Sequence, residues 1–155
     1  MSSRSLMLVF SSLALVLAVV PSVRADEFLI RETESLRNSL SLNDASRLPL
    51  TLRLADLCME DAASAEYNRK VKLQRQALGL YEEALQFNRA GALEGNARLR
   101  VEFQKARLLT DLGDMDRAVV LWKKIANQRD MKDMAREASL KLAEAGDVHN
   151  AAHWF

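Results

Sequence analysis

The stretch that decides the fold is Asp111 to Ile125, DLGDMDRAVVLWKKI, read beside Glu144 to Phe155, EAGDVHNAAHWF. Gly113, Asp114, Ala118 and Trp122 are answered 33 residues later by Gly146, Asp147, Ala151 and Phe155, and just upstream Leu109 is answered by Leu142. In each copy an apolar helical pattern stops at Gly, restarts at Asp, and sets Ala and an aromatic residue four apart on one face. This is one helix hairpin written twice. A period in the thirties with helical spacing inside it marks a repeat array, in which no unit buries its own apolar side and stacking closes the core. The expected fold class is therefore all-α, with antiparallel helix hairpins stacked on one another.

Upstream of the repeats the chain opens with a different kind of segment. Arg4 supplies a positive start, Leu6 to Val20 is apolar apart from two serines, and Pro21, Ser22, Val23, Arg24 and Ala25 end in small residues suited to a peptidase. The apolar run is shorter than the roughly 20 residues that cross a bilayer core, so residues 1–25 read as a secretory signal cleaved after Ala25. No cysteine lies near the cleavage point to take a lipid. The expected location is periplasmic or secreted, with no stable membrane anchor after cleavage.

The remainder is roughly 130 residues, enough for one modest domain. The sequence is 28% charged and 49% hydrophobic, with two prolines and five glycines, a composition typical of soluble helical chains. Of its 22 basic and 21 acidic residues, the leader holds Arg4 and Arg24 and no acid, so the mature part is within one charge of neutral. That balance provides no basic field for nucleic acid or anionic lipid. The single cysteine, Cys58, shares an apolar helical stripe with Leu54, Leu57 and Ala62, and is read as a small core residue.

Taken in order, the mature chain divides into an N-terminal helix and linker, 26–46, and a helical repeat domain, 47–155. Asp26 is expected to cap a helix from about Glu27 to Leu40 whose apolar positions are Phe28, Leu29, Leu36 and Leu40. That segment is read as docking loosely or pairing with a copy of itself. The next helix has Pro49 in its first turn, where a missing N–H is harmless, and continues through Leu50, Leu54, Leu57, Cys58, Ala62 and Ala65. The stripe changes phase near Glu66 to Arg69, which places a turn there, and resumes as Leu73, Ala77, Leu80, Tyr81, Ala84 and Leu85. Gly91, Gly95 and Asn96 close that arm. The units fall at about 48–95, 97–130 and 131–155, the last incomplete.

Ala77, Tyr81, Ala84 and Leu85, then Gly113, Ala118, Trp122 and Ile125, then Gly146, Ala151 and Phe155 resemble the second-helix half of tetratricopeptide repeats. Ala55, Ala106 and Ser139 fall where that family has its small first-helix residue. The resemblance covers roughly Pro49 to Phe155 and implies a short right-handed solenoid that binds protein or peptide. Departures accompany it: the first unit is ten residues longer between Ala55 and Ala77 than the second is between Ala106 and Ala118, close to three helical turns. Asp130 also stands where a repeat-ending proline is common. The Thr-Pro-Leu-His of ankyrin repeats is absent. The chain stops at Trp154 and Phe155, before a polar capping helix, so it is expected either to be the N-terminal part of a longer repeat protein or to dock that aromatic end on a partner. Long secreted repeat proteins of some bacterial envelopes are similar in pairing a signal with an LRLADL-type helix, here 52–57.

Catalytic and cofactor motifs are missing: there is no phosphate loop, nucleophile elbow or metal-spaced Cys/His cluster. His149 and His153 sit four apart, with only Glu144 or Asp147 nearby, short of a zinc set. The chain is read as a non-enzyme without cofactor or metal. In the resembling architecture the first helix of each unit lines the concave surface, whose exposed positions would be Arg100, Phe103, Arg107 and Asp111, then Asp133, Arg136 and Leu140. The candidate partner-binding residues are Arg100, Phe103, Arg107 and Arg136, suited to an acidic or C-terminal peptide, together with Trp154 and Phe155. The competing reading pairs these arginines with Glu102 and Asp111 as a solvated face. The expected function is a periplasmic or envelope scaffold. The alternative is a structural subunit that self-associates through its N-terminal helix or open C-terminal end.

Overall fold

The computed structural model describes residues 25–87 and 93–146, all in helices and short connections, with no strand among them. Six helices follow in order: α1 Ala25–Ser39, α2 Arg47–Ser64, α3 Tyr67–Gln86, α4 Gly95–Asp111, α5 Met115–Ala126 and α6 Lys132–Glu144. Each packs against the next along the chain. The all-α expectation holds. Residues 1–24, 88–92 and 147–155, among them His149, His153, Trp154 and Phe155, lie outside the described residues.

Punctuation residues set the hairpins. The break between α2 and α3 is only Ala65 and Glu66, at the leading edge of the phase change at Glu66 to Arg69. Between α4 and α5, Gly113 sits at φ +82°, in the left-handed region that only glycine occupies freely. There the Gly113 N–H donates to the Thr110 carbonyl at 3.1 Å and the Asp114 N–H to the Leu109 carbonyl at 2.8 Å, closing the helix by a Schellman motif. The Asp114 carboxylate then accepts from the Arg117 backbone N–H and opens α5. At the end of α6 Gly146 has the same φ of +82°. Its N–H bonds the Ala143 carbonyl at 3.0 Å, and the Ala145 N–H bonds Lys141, as Leu112 bonds Leu108. The sequence offset therefore recurs as a backbone hydrogen-bond pattern.

Two apolar clusters fill the structure. One gathers Ile30 of α1 with Leu54, Cys58, Ala77 and Tyr81 of the α2–α3 hairpin and with Val101 and Leu108 of α4. The other centres on Trp122, fully buried, with Leu99, Phe103 and Leu109 of α4, Ile125 of α5 and Leu142 of α6. Helix α4 thus contributes to both, and Leu78 of α3 is packed against both. Ala118 and Ala106, each with no exposed surface, let α4 and α5 approach closely around Trp122.

The N-terminal helix corrects the sequence reading. Asp26 is a helical residue of α1 rather than its cap. Phe28, Leu29 and Leu36, expected to dock loosely or to pair with a second copy, are 59, 44 and 55% exposed, while Ile30 and Arg37 are the buried positions. A polar face turns inward because partners meet it there. Arg37 Nε donates to Thr51 Oγ1 at 2.9 Å, its guanidinium also binds Glu83, and Arg47 Nη1 donates to the carbonyls of Arg37 and Leu40 at 3.0 and 3.2 Å. The last contact places a buried cation on the carbonyl end of α1, where the helix dipole favours it.

Candidate interaction surface

Arg100 and Arg107 are two turns apart on α4 and share a face, and Arg136 lies on α6 next in sequence to the Glu137 that meets Arg107. All three are exposed. Arg107 pairs with Glu137 of α6 at 3.5 Å and lies over the Phe103 ring at 6.0 Å, a modest cation–π contact. Arg100 and Arg136 have no hydrogen bond or ion pair to another described residue. The anticipated neutralisation by Glu102 does not occur, because that buried carboxylate accepts from Lys124 at 2.6 Å and Arg98 at 3.2 Å. Asp111 is occupied by Gln74 Nε2 at 3.3 Å, not by an arginine.

Beside Arg100 the α5–α6 connection and the first turn of α6 leave a hollow of about 590 Å³, lined by Arg129, Asp130, Met131, Lys132, Asp133 and Met134 as well as Arg100. Met131 and Met134 are partly buried against the Trp122 cluster and form an apolar floor. Methionine suits such a floor because its flexible thioether adapts to varied shapes. Arg100, Arg129 and Lys132 supply three exposed cations to its wall against the two carboxylates of Asp130 and Asp133. The sequence reading missed this hollow, since Arg129 and Lys132 flank a connection whose path no spacing rule fixes. The signal was the pair of methionines three apart, Met131 and Met134, in an otherwise charged segment.

Phe103 requires a correction. It was expected on the exposed concave face, but it is 7% exposed and meets Trp122 edge-on at 5.5 Å with an interplanar angle of 81°. Its spacing to Leu99, Ala106 and Leu109 follows the helical repeat of the inward stripe, which places it in the core. Asp133 and Leu140 are exposed as expected, Leu140 at 42%. Trp154 and Phe155 lie outside the described residues.

Titratable groups away from this face mostly tie helices together. Glu82 of α3 joins Lys105 of α4 at 3.1 Å and Arg117 of α5. Burial by itself pushes the Glu82 carboxyl up, but the hydrogen bonds and charges of Lys105 and Arg117 outweigh it and hold the group below its ordinary value. Asp61, with no exposed surface, is held by Arg69 at 2.6 Å across the α2–α3 turn. Cys58 is buried as expected, and burial first, then the charges of Glu34 and Asp61, push its thiol up to about 11. Tyr81 is raised by burial and by its hydrogen bond to Asp56. None of these groups opens onto the hollow. Among the described residues no group of three or more His, Cys, Asp or Glu is gathered as cation ligands, and no helix is long and apolar enough to cross a membrane.

Compared with known proteins, the chain matches no family model, no curated protein and no solved structure.

Proposed function

We propose that this chain is a secreted or periplasmic, non-catalytic scaffold built of tetratricopeptide-like repeats, which captures an acidic segment of a partner protein at the face formed by α4 and α6. The observation that carries this reading is the Met-floored hollow beside Arg100. There, exposed cations without internal partners stand next to an adaptable apolar surface, the combination that binds carboxylate-bearing peptides through guanidinium forks and buried side chains. The repeated helix-end geometry at Gly113 and Gly146 supports stacked hairpins as the framework. Near-neutral charge argues against a nucleic-acid partner.

The test is fluorescence anisotropy with a labelled peptide that alternates glutamate and leucine. Binding is expected to weaken at least about tenfold in Arg100→Glu and Arg136→Glu, as loss of charge-assisted contacts implies. A lysine–leucine peptide of the same length should not bind. Equal affinity of both variants and the parent for the acidic peptide would remove the proposal. For the location, intact mass of secreted protein should correspond to a chain starting at Asp26, and a Met1 start in a membrane fraction would count against it.

A second reading, self-association through α1, is favoured by one observation: Phe28, Leu29 and Leu36 present an apolar stripe to solvent. Sedimentation at several concentrations separates the two. An oligomer that disappears on deletion of 26–46 favours this second reading, and a monomer throughout favours the first.

A further inference from the structure

Helix α1 is amphipathic in the reverse sense. Its apolar residues Phe28, Leu29 and Leu36 face solvent, whereas the face on α2 and α3 carries Glu27, Glu34 and Arg37 around a single buried aliphatic residue, Ile30. Charge holds it at both ends. Toward its C-terminus, Arg37 and Arg47 converge on Glu83, Arg47 at 3.5 Å, and Arg37 also grips Thr51. Near its N-terminus Glu27 reaches Arg69 at 3.6 Å, the same arginine that holds Asp61. These contacts place α1 antiparallel on α2, from Asp61 at one end to Arg47 at the other. Cys58, seven residues and two turns from Thr51 on the same side of α2, lies between those ends, in the same cluster as Ile30.

We infer that α1 is an electrostatic latch: a helix that lifts from the α2–α3 hairpin as a unit when its ion pairs are screened, uncovering the Thr51–Cys58 stripe while the rest of the fold stays closed. Three of the latch charges reach water, the side chains of Glu83, Arg69 and Glu27 being 38, 39 and 31% exposed while Arg37 and Arg47 are only 10% exposed, so dissolved salt competes directly at Glu83 and at the Glu27–Arg69 end. The helices beyond α1 also carry ion pairs, Glu82 with Lys105 and Arg117 and Glu102 with Lys124, but they meet around apolar clusters, with Trp122, Ile125 and Leu142 fully buried, and ionic strength does not weaken that burial. Raising salt from about 0.1 M to about 1 M shortens the Debye length from about 10 Å to about 3 Å, which weakens the attachment of α1 selectively.

The chain contains its own reporter, because Cys58 is its only cysteine and is fully buried. The full chain is labelled with the uncharged reagent N-ethylmaleimide across that salt range, with rates normalised to free cysteine at each salt concentration, and amide exchange is followed in the same samples. The labelling rate of Cys58 is expected to rise at least about fivefold with screening, and exchange of the α1 amides to rise with it, while the α5 amides hold steady. Glu83→Gln should label quickly even at low salt and show little further salt effect. Should that variant fail to fold, Glu27→Gln, which loosens only the Arg69 end, should shift the labelling curve the same way by less. A labelling rate that is flat with salt overturns the latch. So does one that rises only in step with exchange at α5, because the chain would then be opening as a whole.

Discussion

Replacing Trp122 by Ala removes the largest fully buried side chain in the described structure. Trp-to-Ala changes in cores cost about 3 to 5 kcal/mol through lost transfer energy and the cavity left behind. Two features place this one in the upper half of that range. The edge-on contact with Phe103 contributes about 1 kcal/mol beyond area, and closely packed neighbours such as Ala118 and Ala106 have no side-chain length with which to refill the space. The hydrogen bond from Trp122 Nε1 to Thr110 Oγ1, 3.0 Å long, adds little, because the Thr110 hydroxyl keeps its own bond to the Ala106 carbonyl. The expected loss is about 4 kcal/mol, a large share of the roughly 5 to 15 kcal/mol that holds a whole domain folded. Trp122→Phe keeps an aromatic ring against Phe103 and should cost about half as much. Urea unfolding followed by far-UV circular dichroism measures both. A loss below about 1 kcal/mol for Trp122→Ala would refute the packing scheme around α4, α5 and α6.

Three further outcomes are expected. Gly113→Val should destabilise by about 1 to 2 kcal/mol in the same assay, because φ +82° strains any L side chain although nothing lies within 4 Å of the added Cβ; Gly113→Asn should lose less. At the α2–α3 turn, Arg69→Ala should cost about 3 kcal/mol, since it strands the fully buried Asp61 carboxylate, whereas Asp61→Ala should cost only about 1 kcal/mol because Arg69, 39% exposed, can turn to water; equal losses in paired melts would contradict this asymmetry. Glu82 titrates in the folded chain below its ordinary 4.5, so its contribution is fully present above that value and is lost as pH falls through the lower folded value. Stability should therefore fall on its account as pH drops below roughly 4.5, and Glu82→Gln should remove that part of the slope in denaturant midpoints taken at each pH.

The parts of the fold legible from sequence were those written in backbone chemistry and helical period. Gly113 and Gly146 both occupy the left-handed conformation their spacing implied, Asp114 opens α5, and Leu54, Cys58, Ala77, Tyr81 and Trp122 all lie in the core. The failures came where burial was decided by polar partners distant in sequence. Nothing near Arg37 announces that Thr51 and Glu83 will bury it, so hydrophobicity marks Phe28, Leu29 and Leu36 but not the polar face on which α1 rests. Asp61 is similar, since its arginine arrives across a turn. Phe103 failed for another reason: the face was assigned from the geometry of the resembling repeats, although the residue's own spacing to Leu99 and Ala106 pointed inward. Of the candidate face, the positions of Arg100, Arg107 and Arg136 on the surface were legible, but the hollow was not, because its volume is set by the path of a connection rather than by a period.

Helix α4 is buried on two sides, with Val101 and Leu108 given to one cluster and Phe103 and Leu109 to the other. Such a shared wall shapes how the molecule comes apart. Among the described helices α1 separates by breaking its interface with α2, whereas freeing α4 requires breaking those with α3 and α5, so opening starts more easily at α1 than at α4. The two sides are consequently coupled in only one way: a lesion in α4 is felt by both, and a lesion in α1 stays local. The arrangement sets Arg100 and Arg107 on the one helix that both apolar clusters anchor.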